Sequence, residues 1–398
     1  MQGPSVPPIC AICAGGIVEA DDSDEHIINQ AIGGRRTVRG LLHLTCNNGA
    51  GETWDAELAR QLQPLSLHFD VRRQRGAVPP MPITTTAGEE LVLGPRGQLM
   101  RRPKPDIRTT PAPGGKKHLF ATVGSMPAAR QLLQGLKRKN PDIDVEAQLA
   151  NVMVERSYPR GAVKLELGFG GKGAGQSLVK STLALAHEAG IPIERCSDAL
   201  AYLRGKGEPC FGYYYVGNLV EGRPVATPLH CIAIEANPAS RLILGYTEFF
   251  GIHRAVVCLG RGYEGPALKR VYAIDPRSGA ELGLAVRLPF DEAAIAAIYD
   301  YRMDDADGRR AAFNAVFGPA LAAQYQAEWA RVSKEAFGFA WANCGAVENQ
   351  MLTDEHKRTI ARLYAERVVP FILRSGGANE LAARRQAEAY ADFVIGTA

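Results

Sequence analysis

Across its 398 residues the sequence has no apolar run approaching the roughly 20 residues that a membrane-spanning helix needs. That excludes a membrane span. The N-terminus, MQGPSVPPICAIC, lacks the basic start and the apolar core of a secretion signal, so the expected location is the cytoplasm. No internal repeat of fixed period and no long low-complexity tract is present, which excludes a solenoid or array. Cysteine is sparse through most of the chain. Cys196, Cys210, Cys231, Cys258 and Cys344 stand singly in apolar surroundings and read, in a reduced compartment, as buried small hydrophobes. What remains is an ordinary soluble composition, 46% hydrophobic and 22% charged, on a chain long enough for two or three domains.

The net charge of +4 is mild but unevenly spread. Between residues 61 and 140 there are 14 basic side chains against four acidic ones, Asp70, Glu89, Glu90 and Asp106. A field of that sign attracts a polyanion, with nucleic acid the leading partner. Arg72, Arg73 and Arg75 open the segment.

The organisation expected is α+β: a small N-terminal module, then a larger α+β body with a helical C-terminus. Its expected parts are a module over 1–75, a basic Pro/Gly-rich linker or small β segment over 76–125, an α+β body over 126–290 and a helical region over 291–398. The pattern TWDAELARQL predicts a helix starting near Thr53 behind a capping-type Thr. Helices are expected over 126–139 and 144–157, and SLVKSTLALAHEAG predicts a stronger one ending in Gly. The segments CFGYYYVG, LHCIAIEAN, RLILGYTEFF, HRAVVCLG and LKRVYAIDP predict strands, and helices follow from Asp291 onward.

Three of the cysteines cluster at the N-terminus. Cys10-x2-Cys13 and His43-x2-Cys46 are two chelating pairs with the spacing of a zinc knuckle, and a Cys3His set suits a tetrahedral structural zinc. Between and after the pairs stand DEHIINQAIGG, HLTCNN and GETWDAELA. In this order CAIC, DEHIINQAIGG, HLTCNN and GETWDAELA resemble the HNH, or ββα-metal, endonucleases, over about residues 9 to 60, one seventh of the chain. The resemblance implies a hairpin followed by a helix, with His26 as general base and Glu25 and Asn47 as ligands of a catalytic Mg²⁺ or Mn²⁺. Asn48 takes the place of Asn47 if the register slips by one, and Asp55 is a supporting partner. A neutral His can accept a proton from water near neutral pH, and a hard divalent ion can relieve charge on a phosphate and on the departing 3′ oxygen. Arg35, Arg36 and Arg39 lie in the hairpin, where contacts to phosphates would place a duplex.

Two departures from the family stand out. The middle Asn that fixes the loop and orients the base should fall near Thr37 to Gly40, and none is there; Asn29 stands where a Pro is common. The acid-acid-histidine triplet also recurs at Asp354, Glu355 and His356, without a cysteine pair or Gly-Gly, and there it reads as a helix start with acids in the first turn.

Weaker signals lie in the body. GFGGKGAGQS, residues 168–177, lacks P-loop spacing and reads as a Gly-rich linker before a helix; Lys180 reads as a solvated helix lysine that could reach a phosphate. FGYYYVG reads as core strand more than as a base-stacking platform. The leading expectation is a DNA endonuclease, with restriction or phage defence and partner proteins of a defence system suggested by analogy. The alternatives are a non-catalytic zinc module that binds nucleic acid, and a nuclease whose body senses a nucleotide signal through the Gly-rich stretch. Oligomeric state is not legible.

Overall fold

The fold is known from a computed structural model, which describes residues 8–101, 105–111, 113, 117–153, 159–165, 167–376 and 380–396. Compactness divides the chain once, into Met1–Phe313 and Asn314–Ala398. The divisions expected at 75, 125 and 290 are not breaks of this kind: the N-terminal module shares one unit with most of the body.

The module is a two-stranded hairpin followed by a long helical rod. Glu25–His26 pairs antiparallel with Thr37–Val38, in register Glu25 to Val38 and His26 to Thr37. Ile27, Ile28 and Ile32 next to it are fully buried, each worth roughly 1.5–3 kcal/mol of apolar burial. The Gly-Gly pair is a packing requirement. Gly33 has φ +101, and a Cβ on Gly34 would lie 1.6 Å from the Ile28 carbonyl oxygen.

The rod runs through Leu44–Ala50, a wider π-type turn at Gly51–Asp55, and Ala56–His68. Thr53 is therefore not the helix start that its sequence suggests. It sits inside the rod, and its hydroxyl donates to the Gly49 carbonyl at 2.7 Å. A π-type turn is frequent at functional sites, because it re-aims side chains without ending the helix.

The body centres on a six-stranded antiparallel sheet. Its order is Ala280–Glu281, Leu268–Asp275, His230–Asn237, Leu242–Phe249, His253–Arg261, Phe211–Tyr213, close to the expected strands. All eight residues of Leu242–Phe249 are buried, because both faces of the sheet are covered. One face carries a core that includes Leu219, Phe290, Ile295 and Ile298. Against the other lies the helix Gly171–Glu188. A Cβ on Gly245 of the sheet would meet Thr182 of that helix at 2.0 Å, so the two backbones approach as closely as glycine allows.

That helix corrects two expectations. Most of the Gly-rich stretch is helix and not linker: it leaves its loop at Gly170, φ +133, and is helical from Gly171. Every residue from Ala174 to Ala186 is buried, Lys180 included. The glycines serve close packing, with Gly173 against Glu57 of the module and Gly175 against Phe211 and Tyr202.

Elsewhere in the first unit, short strands occupy Met81–Thr84, Glu90–Leu93, Leu99–Arg101, Asp106–Pro111 and Lys117–Thr122, and helices occupy Met126–Lys137 and Val145–Ala150. Residues 154–157 of the expected second helix, and Arg102, Lys104 and Lys116 of the basic segment, lie outside the described residues. The five scattered cysteines are free and buried, as expected.

The second unit is helical, built from the later part of Ala306–Ala342 with Asp354–Gly376 and Glu380–Gly396. Its buried Tyr364 hydroxyl lies 2.8 Å from Ser333 Oγ. Thr353 caps the helix that starts at Asp354: its hydroxyl accepts from the His356 N–H at 3.2 Å, and its own N–H donates to His356 Nδ1 at 3.4 Å. The second triplet is a helix start. Among the described residues no helix is long and apolar enough to cross a membrane.

Candidate active site and metal centre

Cys10, Cys13, His43 and Cys46 converge, with one ligand atom from each lying within 4.8 Å of every other. The first pair sits on a tight turn in which Ala14 N–H donates to the Cys10 carbonyl at 3.0 Å and Cys10 N–H to the Gly15 carbonyl at 2.8 Å. A side chain on Gly15 would crowd His43 Cε1 at 3.0 Å. His43 is oriented from behind: its Nε2 lies 3.0 Å from the Gly16 carbonyl oxygen, which only accepts. Nε2 therefore carries the proton, and Nδ1, 3.1 Å from Cys13 Sγ, presents its lone pair to the cluster. Burial, then the nearby Cys10, push the Cys46 thiol up to about 12, whereas the Gly15 backbone lowers Cys13. A bound cation would favour both thiolates. The donor set and its compactness suit a structural zinc. Arg204 of the body donates Nε to the Ala11 carbonyl at 3.0 Å and ties this turn down.

Beside the zinc-type cluster a cleft of about 620 Å³ opens along the rod. It brings together Glu25, His26, Asn47 and Asn48 with Glu52 and Asp55 of the π-type turn. Asn47 is half-buried and Asn48 exposed. Among the described residues neither spends its side-chain amide on a hydrogen bond, and the lower exposure of Asn47 makes it the better held of the two.

His26 is oriented through Gln74, a residue that the sequence gives no reason to single out. Gln74 Nε2 donates to the Arg35 carbonyl at 3.4 Å, which fixes the amide orientation and turns Oε1 toward His26 Nε2 at 3.1 Å. Because Oε1 only accepts, Nε2 carries the proton and Nδ1 is left as the basic atom. The loop-fixing work of the absent middle Asn falls to Asp22. Its carboxylate accepts from Ser23 N and Gly40 N, each at 2.8 Å, and from Arg39 Nε at 3.1 Å. Asn29, in the usual Pro position, is also put to use. Its Oδ1 accepts from Ala31 N at 2.8 Å, and its Nδ2 donates to the Asp55 carbonyl at 2.9 Å, binding hairpin to rod.

The floor of the site comes from the body. Lys180, 1% exposed, donates to Glu25 Oε1 and, at 2.9 Å, to Asp55 Oδ2. Ser177 donates to Asp55 Oδ1 at 2.5 Å. Burial raises the Glu25 carboxyl above its ordinary value, with the Lys180 ammonium opposing the rise. Burial pulls Lys180 down, but Asp55 and Glu25 outweigh it, and its pKa is raised. Lys180 is neither solvated nor placed to meet a phosphate.

The arginines separate into two groups. Arg36 leaves the phosphate-contact set: it donates to Glu188 at 3.3 Å and to Glu281 at 2.7 Å, and it stacks 4.4 Å above the Tyr272 ring. It clamps the hairpin to the body. Arg35 is half-buried over Gly279 of the body, so it too faces protein. Arg39 is exposed but ion-paired with Asp22, Arg72 and Arg75 are exposed, and Arg73 lines the cleft. Arg60, not singled out from the sequence, also lines it, and its fork draws Glu57 down to about 2.

No curated protein and no solved structure matches the chain. A family model does: residues 10–63 match that of the HNH endonucleases. With the Cys3His cluster and the hairpin-helix frame in place, the N-terminal module of this chain is an HNH endonuclease domain.

Proposed function

We propose that the chain is a metal-dependent endonuclease that hydrolyses phosphodiester bonds of DNA, cutting or nicking it, with His26 as general base. The observation that carries this reading is the convergence of Glu25, His26 and Asn47 on one cleft of a domain that matches the HNH family. His26 Nδ1 takes the proton of the attacking water, and the Gln74 bond to Nε2 fixes the tautomer that leaves Nδ1 free to do so. Arg73, on the cleft lining, and the exposed Arg72 and Arg75 place the phosphate backbone.

The oxygen donors fit a hard divalent ion. Glu25 gives one carboxylate oxygen to Lys180, and among the described residues its other oxygen and the Asn47 amide are unspent. Glu25 and Asn47 would hold Mg²⁺ or Mn²⁺, with Asn48 as the substitute for Asn47, and the ion would stabilise charge on the phosphate and on the departing 3′ oxygen. The zinc of the Cys3His cluster is structural in this reading. A place in phage defence or restriction, with partner proteins, follows by analogy with stand-alone proteins that carry an N-terminal HNH module on a large body. Sensing of a nucleotide loses its support, since the Gly-rich stretch packs as helix against protein.

Incubation with supercoiled plasmid in Mg²⁺ or Mn²⁺, against EDTA, tests the proposal. Metal-dependent relaxed or linear product is expected. A plasmid that shifts on a gel but is never converted would favour the rival reading, a non-catalytic zinc module that binds nucleic acid.

A further inference from the structure

The nuclease reading leaves the buried charge of Lys180 without a role. Lys180 reaches the catalytic carboxylates from a helix of the body, across a sequence separation of 155 residues from Glu25. Its ammonium lies between Glu25 and Asp55, both of which border the cleft. The helix that carries it is pinned. Gly175 meets Phe211 and Tyr202, Thr182 meets Gly245 of the sheet, and no residue from Ala174 to Ala186 is exposed. The cation is a fixed part of the site.

We propose that Lys180 is a resident monovalent counter-ion of the Glu25–Asp55 pair, supplied by the body, which competes electrostatically with the divalent cation for Glu25 and so sets how tightly the nuclease site takes its metal. The inference rests on the reading of Glu25 as a metal ligand given above.

Two effects of Lys180 oppose each other. It orients Glu25 by a hydrogen bond, which favours metal binding. It also places a positive charge on the carboxylate that a divalent cation must share, which disfavours it. Repulsion between cations on one carboxylate, a few ångströms apart in a partly buried site, exceeds the worth of one orienting hydrogen bond even at an effective dielectric constant of about 20. The repulsion therefore wins. Replacing Lys180 with Met leaves the buried Glu25 and the half-buried Asp55 without that counter-ion, and the cleft that both border is the route by which a cation can reach them. Because Lys180 belongs to the body, the affinity of the nuclease site for metal is set from outside the HNH module.

The test is Mn²⁺ binding by the zinc-loaded full chain at one fixed pH, followed by electron paramagnetic resonance in the absence of nucleic acid. Lys180→Met is expected to bind Mn²⁺ at least about tenfold more tightly than the wild type. Unchanged or weaker binding overturns the proposal and leaves Lys180 with a structural role, for which a lower melting temperature alone would be the signature. Should Lys180→Met fail to fold, Lys180→Met/Asp55→Asn compared with Asp55→Asn reads the same repulsion with one carboxylate fewer, and equal affinities there overturn it as well. Glu25→Gln separates the two levels. If it abolishes Mn²⁺ binding while Lys180→Met binds like the wild type, this proposal alone falls. If Glu25→Gln binds Mn²⁺ like the wild type, the ligand assignment falls, and the proposal with it.

Discussion

The chain carries the triplet Asp-Glu-His twice, and the two copies have become different objects. At Asp354–His356 the acids stand in the first turn of a helix, and the histidine exchanges hydrogen bonds with Thr353, as a capping residue does. At Asp24–His26 the last two residues form a strand, where successive side chains point to opposite faces. That alternation sends Glu25 inward to Lys180 and His26 toward Gln74, while both still border the one cleft. A helix would have set both side chains along its surface. The same three residue types yield a helix cap or a cleft-lining Glu-His pair according to whether Gly33 and Gly34 fold a hairpin behind them. A triplet is not a site; the backbone beneath it decides.

The largest expected effect comes from breaking the first copy. His26→Ala should lower the rate of plasmid conversion by about 10²–10⁴-fold, the usual contribution of a general base, while melting temperature and zinc content stay at wild-type values.

A third histidine sharpens the contrast. His230 is fully buried, with Nε2 donating to the Ile32 carbonyl at 2.9 Å and Nδ1 accepting from Phe250 N–H at 3.0 Å, so its neutral form joins body to module. Burial lowers its pKa to about 4. A histidine whose folded pKa lies below its unfolded value opposes folding once the unfolded state takes up protons. Stability should be intact above the unfolded pKa of about 6.5 and fall by up to about 3 kcal/mol as the pH drops toward 4. Chemical denaturation across that window measures it, and His230→Gln should flatten the slope.

Smaller effects separate the supporting residues. Gln74→Leu should cost roughly tenfold in rate without changing Mn²⁺ affinity, since Gln74 touches the base and not the metal donors. Arg36→Ala should destabilise by about 1 kcal/mol in urea titration, through its ion pairs and its stacking on Tyr272, and should leave DNA affinity unchanged apart from that loss. His356→Ala should cost no more than about 0.5 kcal/mol and no activity.

The parts that were legible in the sequence are those encoded locally. Two chelating pairs, each with its ligands separated by two residues, a Gly-Gly turn, and strands of continuous apolar character can be read because each signal lies in one short segment. Lys180 could not be read that way. A lysine on a helix normally faces water, and only the packing of that helix between sheet and module buries it beside Glu25. Asp22 and Gln74 were missed for a related reason, since each serves the site from an irregular segment whose position no periodicity encodes. For Arg36 the sequence suggests a phosphate, because the acids that claim it, Glu188 and Glu281, are distant in the chain.

One experiment tests the central claim most directly: the rates at which wild type, His26→Ala and His356→Ala convert supercoiled plasmid in Mn²⁺, measured side by side. Loss of conversion in His26→Ala alone is the result expected of a hairpin-built acid-base site. Equal rates in all three proteins would contradict it.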